Sequence, residues 1–196
     1  DLMADIIIEN EVYFCELDAV AGDGDFGMSL SKGFKQIKTE WDTLEKENIG
    51  VFLKNCGMII TGYCGGASGP IWGSAFRSMA KYAQDREELN VLEIGELLSE
   101  AVEGIQKRGG AKLGDKTLLD ALIPAAEAIK NNYNKEFFES MKEGAKAARE
   151  GAEKTKEISA SKGRASYVGD RSLNHPDAGA MAIGVIFNSI IENYKY

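Results

Sequence analysis

Three aspartates crowd the stretch LDAVAGDGDFGMSLSKGF, residues 17–34, among four glycines. Carboxylates about 4 Å apart repel by about 1 kcal/mol per pair in water and about 4 kcal/mol at a protein-surface dielectric. A folded cluster of Asp18, Asp23 and Asp25 therefore calls for a counter-charge. Gly24 separates the last two and tolerates positive φ, so the loop can fold back toward Asp18. Oxygen ligands with no His or Cys nearby suit Mg²⁺, Mn²⁺ or Ca²⁺. A calcium EF-hand is out of register, because Met28 takes its glycine position and Phe34 its glutamate position. Magnesium, which keeps positions open for phosphate oxygens, is the preferred ion; the alternative is a solvated Asp/Gly turn. A formal G-x-G-x-x-G at Gly22, Gly24 and Gly27 has no strand before it and no crossover unit around it, so the dinucleotide fingerprint fails.

Three further segments have compositions unlike ordinary turns. In TGYCGGASGPIWG the backbone is bare at Gly65, Gly66 and Ala67, and Ser68 is expected to cap a helix that Pro70 helps to start. Exposed amides at a helix N-terminus bind phosphate, although the lack of a Gly-Lys-Ser/Thr ending rules out a P-loop, and plain capping explains the segment too. In KRGGAKLGDKTLLDALIPA, Gly109 and Gly110 end one helix, and Asp115 is expected to cap the next with Thr117 in its first turn. The glycines beside Leu118 could admit a flat ring. In KGRASYVGDRSLNHPDAG, two arginines, Arg164 and Arg171, suit phosphate or ribose. His175, the single histidine, precedes a proline and is assigned no catalytic role.

Apolar residues recur at three- and four-residue spacing, as in Ile94, Leu97, Leu98, Ala101, Val102 and Ile105. No stretch alternates as a strand does, so the expected fold class is all-α. Helices are expected near 3–20, 28–40, 48–62, 69–83, 91–107, 116–131, 135–158 and 178–194. A chain of 196 residues that is 44% hydrophobic, with no linker-like segment or repeat, reads as one domain, a closed bundle or barrel of antiparallel helices. Three cysteines without CxxC pairing or partner histidines argue against a disulfide framework or a zinc site. The formal charge of -8 disfavours nucleic acid and anionic membrane. DLMADIIIENEVYF lacks the basic flank and apolar run of a secretory signal, and the expected location is cytoplasmic with reduced thiols.

Taken together, LDAVAGDGD, GGASGPIWG, GDKTLLDALIPA and GRASYVGDRS followed by HPDAG make the chain resemble the nucleotide-binding L subunit (DhaL) of phosphotransferase-system dihydroxyacetone (glycerone) kinases, over nearly its whole length. The resemblance implies an eight-helix antiparallel barrel whose loops at one end enclose ADP and two Mg²⁺ ions. Asp18, Asp23 and Asp25 match the family's metal ligands. By the same matching, Phe26, Gly27, Met28, Ser29, Ala67 and Ser68 line the phosphates. Gly109 and Leu118 lie near adenine, and Arg164, Asp177, Ala178 and Gly179 complete the pocket. None of these is a nucleophile.

In the family, a phosphohistidine protein (the M-type subunit) regenerates bound ATP, and the γ-phosphoryl passes to dihydroxyacetone on a separate K subunit. A transcriptional regulator and a homodimeric state are further implied partners. The alternatives are a sibling kinase for a related ketose such as erythrulose, using free ATP, and a non-catalytic nucleotide-sensing module. Two positions depart from the family pattern: Phe26 stands where a histidine is usual and Ala178 where proline is common. Losing an imidazole N–H is expected to weaken nucleotide retention; the alternative is that Phe26 turns into the helix core while backbone amides and Ser29 keep the phosphates.

Overall fold

The computed structural model describes residues 1–193. Among them the chain forms nine α-helices and no strand: α1 (Leu2–Glu9), α2 (Glu11–Ala19), α3 (Phe26–Thr39), α4 (Ile49–Tyr63), α5 (Ser68–Ala83), α6 (Val91–Gly109), α7 (Leu119–Asn131), α8 (Phe137–Lys154) and α9 (Ala178–Asn193), with 3-10 turns at Thr155–Glu157 and Arg164–Ser172. Residue 194, the expected end of the last helix, lies outside the described residues. The helix expected over 3–20 is broken at Asn10, whose side-chain amide donates to the Ile6 carbonyl at 2.8 Å and whose ψ has swung to 12°. A short polar side chain competes there with the helical ladder.

Local signals explain the other boundaries. Asn48 caps α4 by accepting from the Val51 N–H at 2.8 Å. Asn90 and Glu93 exchange side-chain and backbone bonds in a capping box that starts α6. Gly110, left-handed at φ 65°, ends it. Two expected caps are not used. Ser68 is itself the first residue of α5, and α7 begins at Leu119, so Asp115 lies in the loop before it.

Successive helices pack on one another, and α9 returns to α1 and α2, which closes the ring; with α1 and α2 as one broken stave, this is an eight-stave barrel. Its interior is filled by residues such as Ile7, Leu30, Ile60, Ile105, Leu119 and Ile129, all about fully buried. Each such side chain contributes roughly 1.5–3 kcal/mol by leaving water. Phe34 meets Trp72 and Phe76 edge-on, with ring centroids 6.3 and 6.4 Å apart. Staves touch backbone to backbone where small residues face one another. A Cβ on Gly151 of α8 would lie 2.2 Å from the Asp120 carbonyl, which sits four residues before Pro124 in α7. Cys15, Cys56 and Cys64 are all free, and burial pushes the Cys56 and Cys64 thiols up to about 11. No described helix is long and apolar enough to cross a membrane.

Up-and-down topology has one consequence for function. Alternate staves begin at the same end, so the N-termini of α3, α5, α7 and α9 gather there, beside the C-terminus of α2. Four partial positive charges thus face one end of the barrel.

Candidate nucleotide and metal site

That end holds a cavity of about 310 Å³, within the range of small-molecule sites. Its acidic corner is built from the α2–α3 connection. Asp18, in the last turn of α2, accepts the backbone N–H groups of Asp25 at 3.1 Å and Phe26 at 3.4 Å through Oδ2, and its carbonyl accepts from Gly22 at 2.6 Å. The loop is thereby folded back onto the helix that precedes it. Gly24 adopts φ 75°, as the turn requires. At Gly22 the need is for space: a Cβ there would sit 2.2 Å from Asp18 Oδ1. Asp25 occupies the N-cap position of α3 but makes no capping hydrogen bond with its side chain. Oxygens of Asp18, Asp23 and Asp25 lie within 4.8 Å of one another, so all three sequence-expected ligands are gathered in one place. An all-carboxylate set of this spread fits a hard divalent cation. Asp23 is also paired with Arg164, which reaches over from the opposite loop.

The helix N-termini border the same space. Phe26 and Ser29 of α3, Gly65 to Ser68 at the start of α5, Thr117 and Leu118 before α7, and Asp177 to Gly179 at the start of α9 all line the cavity. Gly65 and α3 are fastened together: the Gly65 N–H donates to the Ser29 carbonyl at 3.1 Å, and a Cβ on Gly65 would lie 2.7 Å from the Ser29 hydroxyl. Ile71, Trp72, Ile105, Ala111 and Leu118 supply an apolar wall. Asp177 caps α9, accepting from the Ala180 N–H at 2.7 Å, while its own N–H donates to Thr155 Oγ1 at 2.8 Å. Burial pushes the Asp177 carboxyl up to about 7; the Ala180 N–H and Lys116 oppose the shift, and Asp120 and Asp18 add to it.

Three residues expected at the site do not line it. Gly27 packs close on α2, where a Cβ would lie 2.0 Å from the Glu11 carbonyl. Met28 points outward, 44% exposed, with its N–H donating to Cys15 Sγ at 3.3 Å. Gly109 stands behind the apolar wall, a Cβ there falling 2.9 Å from Ile71 Cδ1, so it supports a lining residue without being one. Phe26 lines the cavity, but its ring also packs against the core and lies 6.2 Å from that of fully buried Phe14. The position thus combines a packing task with a place at the cavity.

Sequence reasoning missed a second polar layer below the cavity. Asp120 accepts the N–H groups of Gly114 at 2.6 Å and Thr117 at 2.7 Å, and Asp115 accepts from the Lys112 N–H and the Ser161 hydroxyl at 2.8 and 2.7 Å. These bonds shape the loop that presents Thr117 and Leu118. Lys116, 2% exposed, lines the cavity floor. The signal available was the density of charge in GDKTLLDA, a segment too apolar around it to be a solvated turn.

Comparison with known proteins bears on the family and the fold. The family model described as the DAK2 domain matches residues 20–192. A relative from Listeria innocua, the ADP-binding subunit DhaL of PEP-dependent dihydroxyacetone kinase 2, is 36% identical, the match covering 98% of this chain and 91% of the relative. The DhaL subunit of the Escherichia coli PEP-dependent enzyme is 33% identical over 91% of this chain and 86% of its own. Among solved structures, the dihydroxyacetone kinase of C. freundii in complex with AMP-PNP and Mg²⁺ superposes with a TM-score of 0.78 at 25% identity over 99% of this chain. This chain spans about a third, 33%, of that kinase. With a closed helical barrel, a gathered aspartate cluster and a family match across most of its length, the chain belongs to the DAK2 domain family.

Proposed function

We propose that this chain is the ADP- and ATP-binding subunit of a dihydroxyacetone kinase, holding the nucleotide through Mg²⁺ in the cavity at the open end of the barrel. The observation that carries the reading is the convergence of three carboxylates and four helix N-termini on one cavity. Asp18, Asp23 and Asp25 would hold two Mg²⁺ ions. Bound there, the metal supplies neutralisation of phosphate charge during transfer. The helix N-termini of α3 and α5 offer N–H groups to phosphate oxygens, and Ser29 and Ser68 add hydroxyl donors. Arg164 and Lys162, which also line the cavity, contribute positive charge at its mouth. The apolar wall of Ile71, Trp72, Ile105 and Leu118 suits a purine face. Phosphoryl transfer rests on positioning and electrostatics, so the acceptor hydroxyl and its base can belong to another chain.

In this reading the partners are a K-type subunit carrying dihydroxyacetone and an M-type phosphohistidine protein that recharges the nucleotide in place. A homodimeric state and a transcriptional regulator that reads the loaded subunit belong to the same reading, in the cytoplasm. The test is titration of ADP into the purified chain with Mg²⁺ and with EDTA, followed by reconstitution. Phosphoryl transfer to dihydroxyacetone should require the K-type partner, and phosphohistidine should support it better than free ATP. No Mg²⁺-dependent ADP binding would refute the reading. Turnover by the isolated chain would show the acceptor site to be misplaced, and a preference for erythrulose would reassign the substrate.

A further inference from the structure

Between α8 and α9 the chain makes a long excursion, residues 155–177, that brings Lys162, Gly163, Arg164 and Ala165 to the cavity. Few apolar side chains hold it. Tyr167 at its tip is 89% exposed. Its two stems are instead joined to each other by polar bonds: the Asn174 N–H donates to the Lys156 carbonyl at 2.9 Å, and the Ala160 N–H to Ser172 Oγ at 3.0 Å.

One side chain reaches both stems. Lys116, at φ 61° in the loop before α7, sends its ammonium to the carbonyls of Thr155 at 2.8 Å and Ile158 at 3.0 Å on the first stem. The same ammonium reaches Ser172 at 2.6 Å and His175 at 2.7 Å on the second. Three N–H donors thus serve four carbonyls, and every one of them belongs to the excursion. Burying an ammonium is costly unless its donors are all used, and a lysine held in the left-handed region adds backbone strain. Asp177 and Asp120 are the nearby opposing charges, and their attraction favours the ammonium against the burial that disfavours it. A solvated role would need neither the burial nor the backbone conformation.

We infer that Lys116 is a positioning residue: its buried ammonium clasps both stems of the 155–177 excursion and so places Arg164 and Asp177 for the nucleotide, without itself being required for the barrel. The inference rests on the nucleotide reading above, and the two fail separately. If the unaltered chain binds no ADP, the nucleotide reading falls; if it binds and the variants bind equally well, the clasp falls.

The experiment uses Lys116→Met, which keeps the stem and removes the donors, and Lys116→Gly, which also relieves the left-handed strain. Helicity is read by circular dichroism, the excursion by hydrogen exchange, and affinity by titration of ADP with saturating Mg²⁺. Both variants are expected to stay helical, to exchange faster across residues 155–177 than elsewhere, and to bind ADP at least tenfold more weakly. In Lys116→Gly, n-butylammonium should restore threefold or more of that affinity. Tetramethylammonium, equal in charge but without an N–H, should restore none. A folded variant within twofold of the unaltered affinity would overturn the inference, as would equal effects of the two amines. A Lys116→Gly chain that loses its helicity even with n-butylammonium would also overturn it, because the lysine would then be supporting the barrel itself.

Discussion

Replacing Gly22 with alanine perturbs the candidate cation cluster without altering any of its three carboxylates in sequence. Gly22 is not among the positive-φ glycines, so alanine can adopt its backbone and the effect is one of space. The new Cβ would lie 2.2 Å from Asp18 Oδ1, 2.7 Å from Asp18 Cγ and 2.9 Å from the Asp18 carbonyl oxygen. Relief by more than an ångström requires the Asp18 carboxylate to turn away. Its Oδ2 would then leave the N–H groups of Asp25 and Phe26, now at 3.1 and 3.4 Å. A hydrogen bond to a charged acceptor contributes about 1.5–3 kcal/mol, but the second of these is long and the loop partly solvated, so a total of about 2 kcal/mol is expected. For a chain of this size that lowers the melting temperature by about 4–8 °C. The displaced carboxylate is also one of three candidate ligands, so Mg²⁺-dependent ADP affinity should fall tenfold or more. Thermal unfolding in EDTA measures the first effect and calorimetric titration the second. Gly62→Ala is the control: nothing lies within 4 Å of its added methyl, which sits inside α4 and should be neutral or slightly stabilising. A Gly22→Ala chain within 1 °C and twofold of the parent would show that the loop is loose enough to absorb a methyl and that Asp18 is not held as described.

Asp25→Asn removes a formal charge from the candidate cation cluster while sacrificing no cap hydrogen bond, so Mg²⁺-dependent ADP binding should weaken at least tenfold with unchanged helicity; equal affinity in calorimetry would remove Asp25 from the ligand set. Arg164→Ala frees Asp23 from a half-exposed ion pair worth about 1 kcal/mol at most, so Mg²⁺ alone should bind up to about fivefold more tightly while ADP binds more weakly, and a fall in both affinities would contradict the competition. Asp177 has a folded pKa of about 7, above the unfolded 3.8, so between those values the folded state binds more protons and stability declines as pH rises. Asp177→Asn keeps the cap acceptor and should therefore be more stable than the parent in denaturant titrations at pH 8, by about 4 kcal/mol at most, with the difference shrinking toward pH 4; a constant difference would refute the linkage.

The sequence made the candidate cation cluster legible because its three carboxylates are close in the chain. Asp18, Asp23 and Asp25 span eight positions, and a glycine turn after a helix leaves few ways to arrange them. Helix periodicity and the Asn and Gly caps at residues 48, 90 and 110 likewise act over one or two turns, so the staves and most of their ends were readable. The break at Asn10 was not, since a single asparagine inside an apolar helix pattern gives no sign of whether it bonds to its own backbone.

What lay beyond reach was which face each residue turns to the rest of the molecule. Gly27, Met28 and Gly109 sit beside the cavity in contact with Glu11, Cys15 and Ile71, and only packing brings those partners in. Phe26 lines the cavity and also packs near Phe14, a pairing that only the tertiary structure brings about. Lys116 is the clearest case, because its four acceptors lie 39 to 59 residues away in the chain. By itself, then, the sequence determined the helical class, most stave boundaries and the local acidic loop, since these depend on interactions within a few residues. Only the closed barrel could decide the gathering of four helix N-termini, the Arg164 to Asp23 pairing and the buried ammonium. Each of those joins residues whose separation in sequence says nothing of their separation in space.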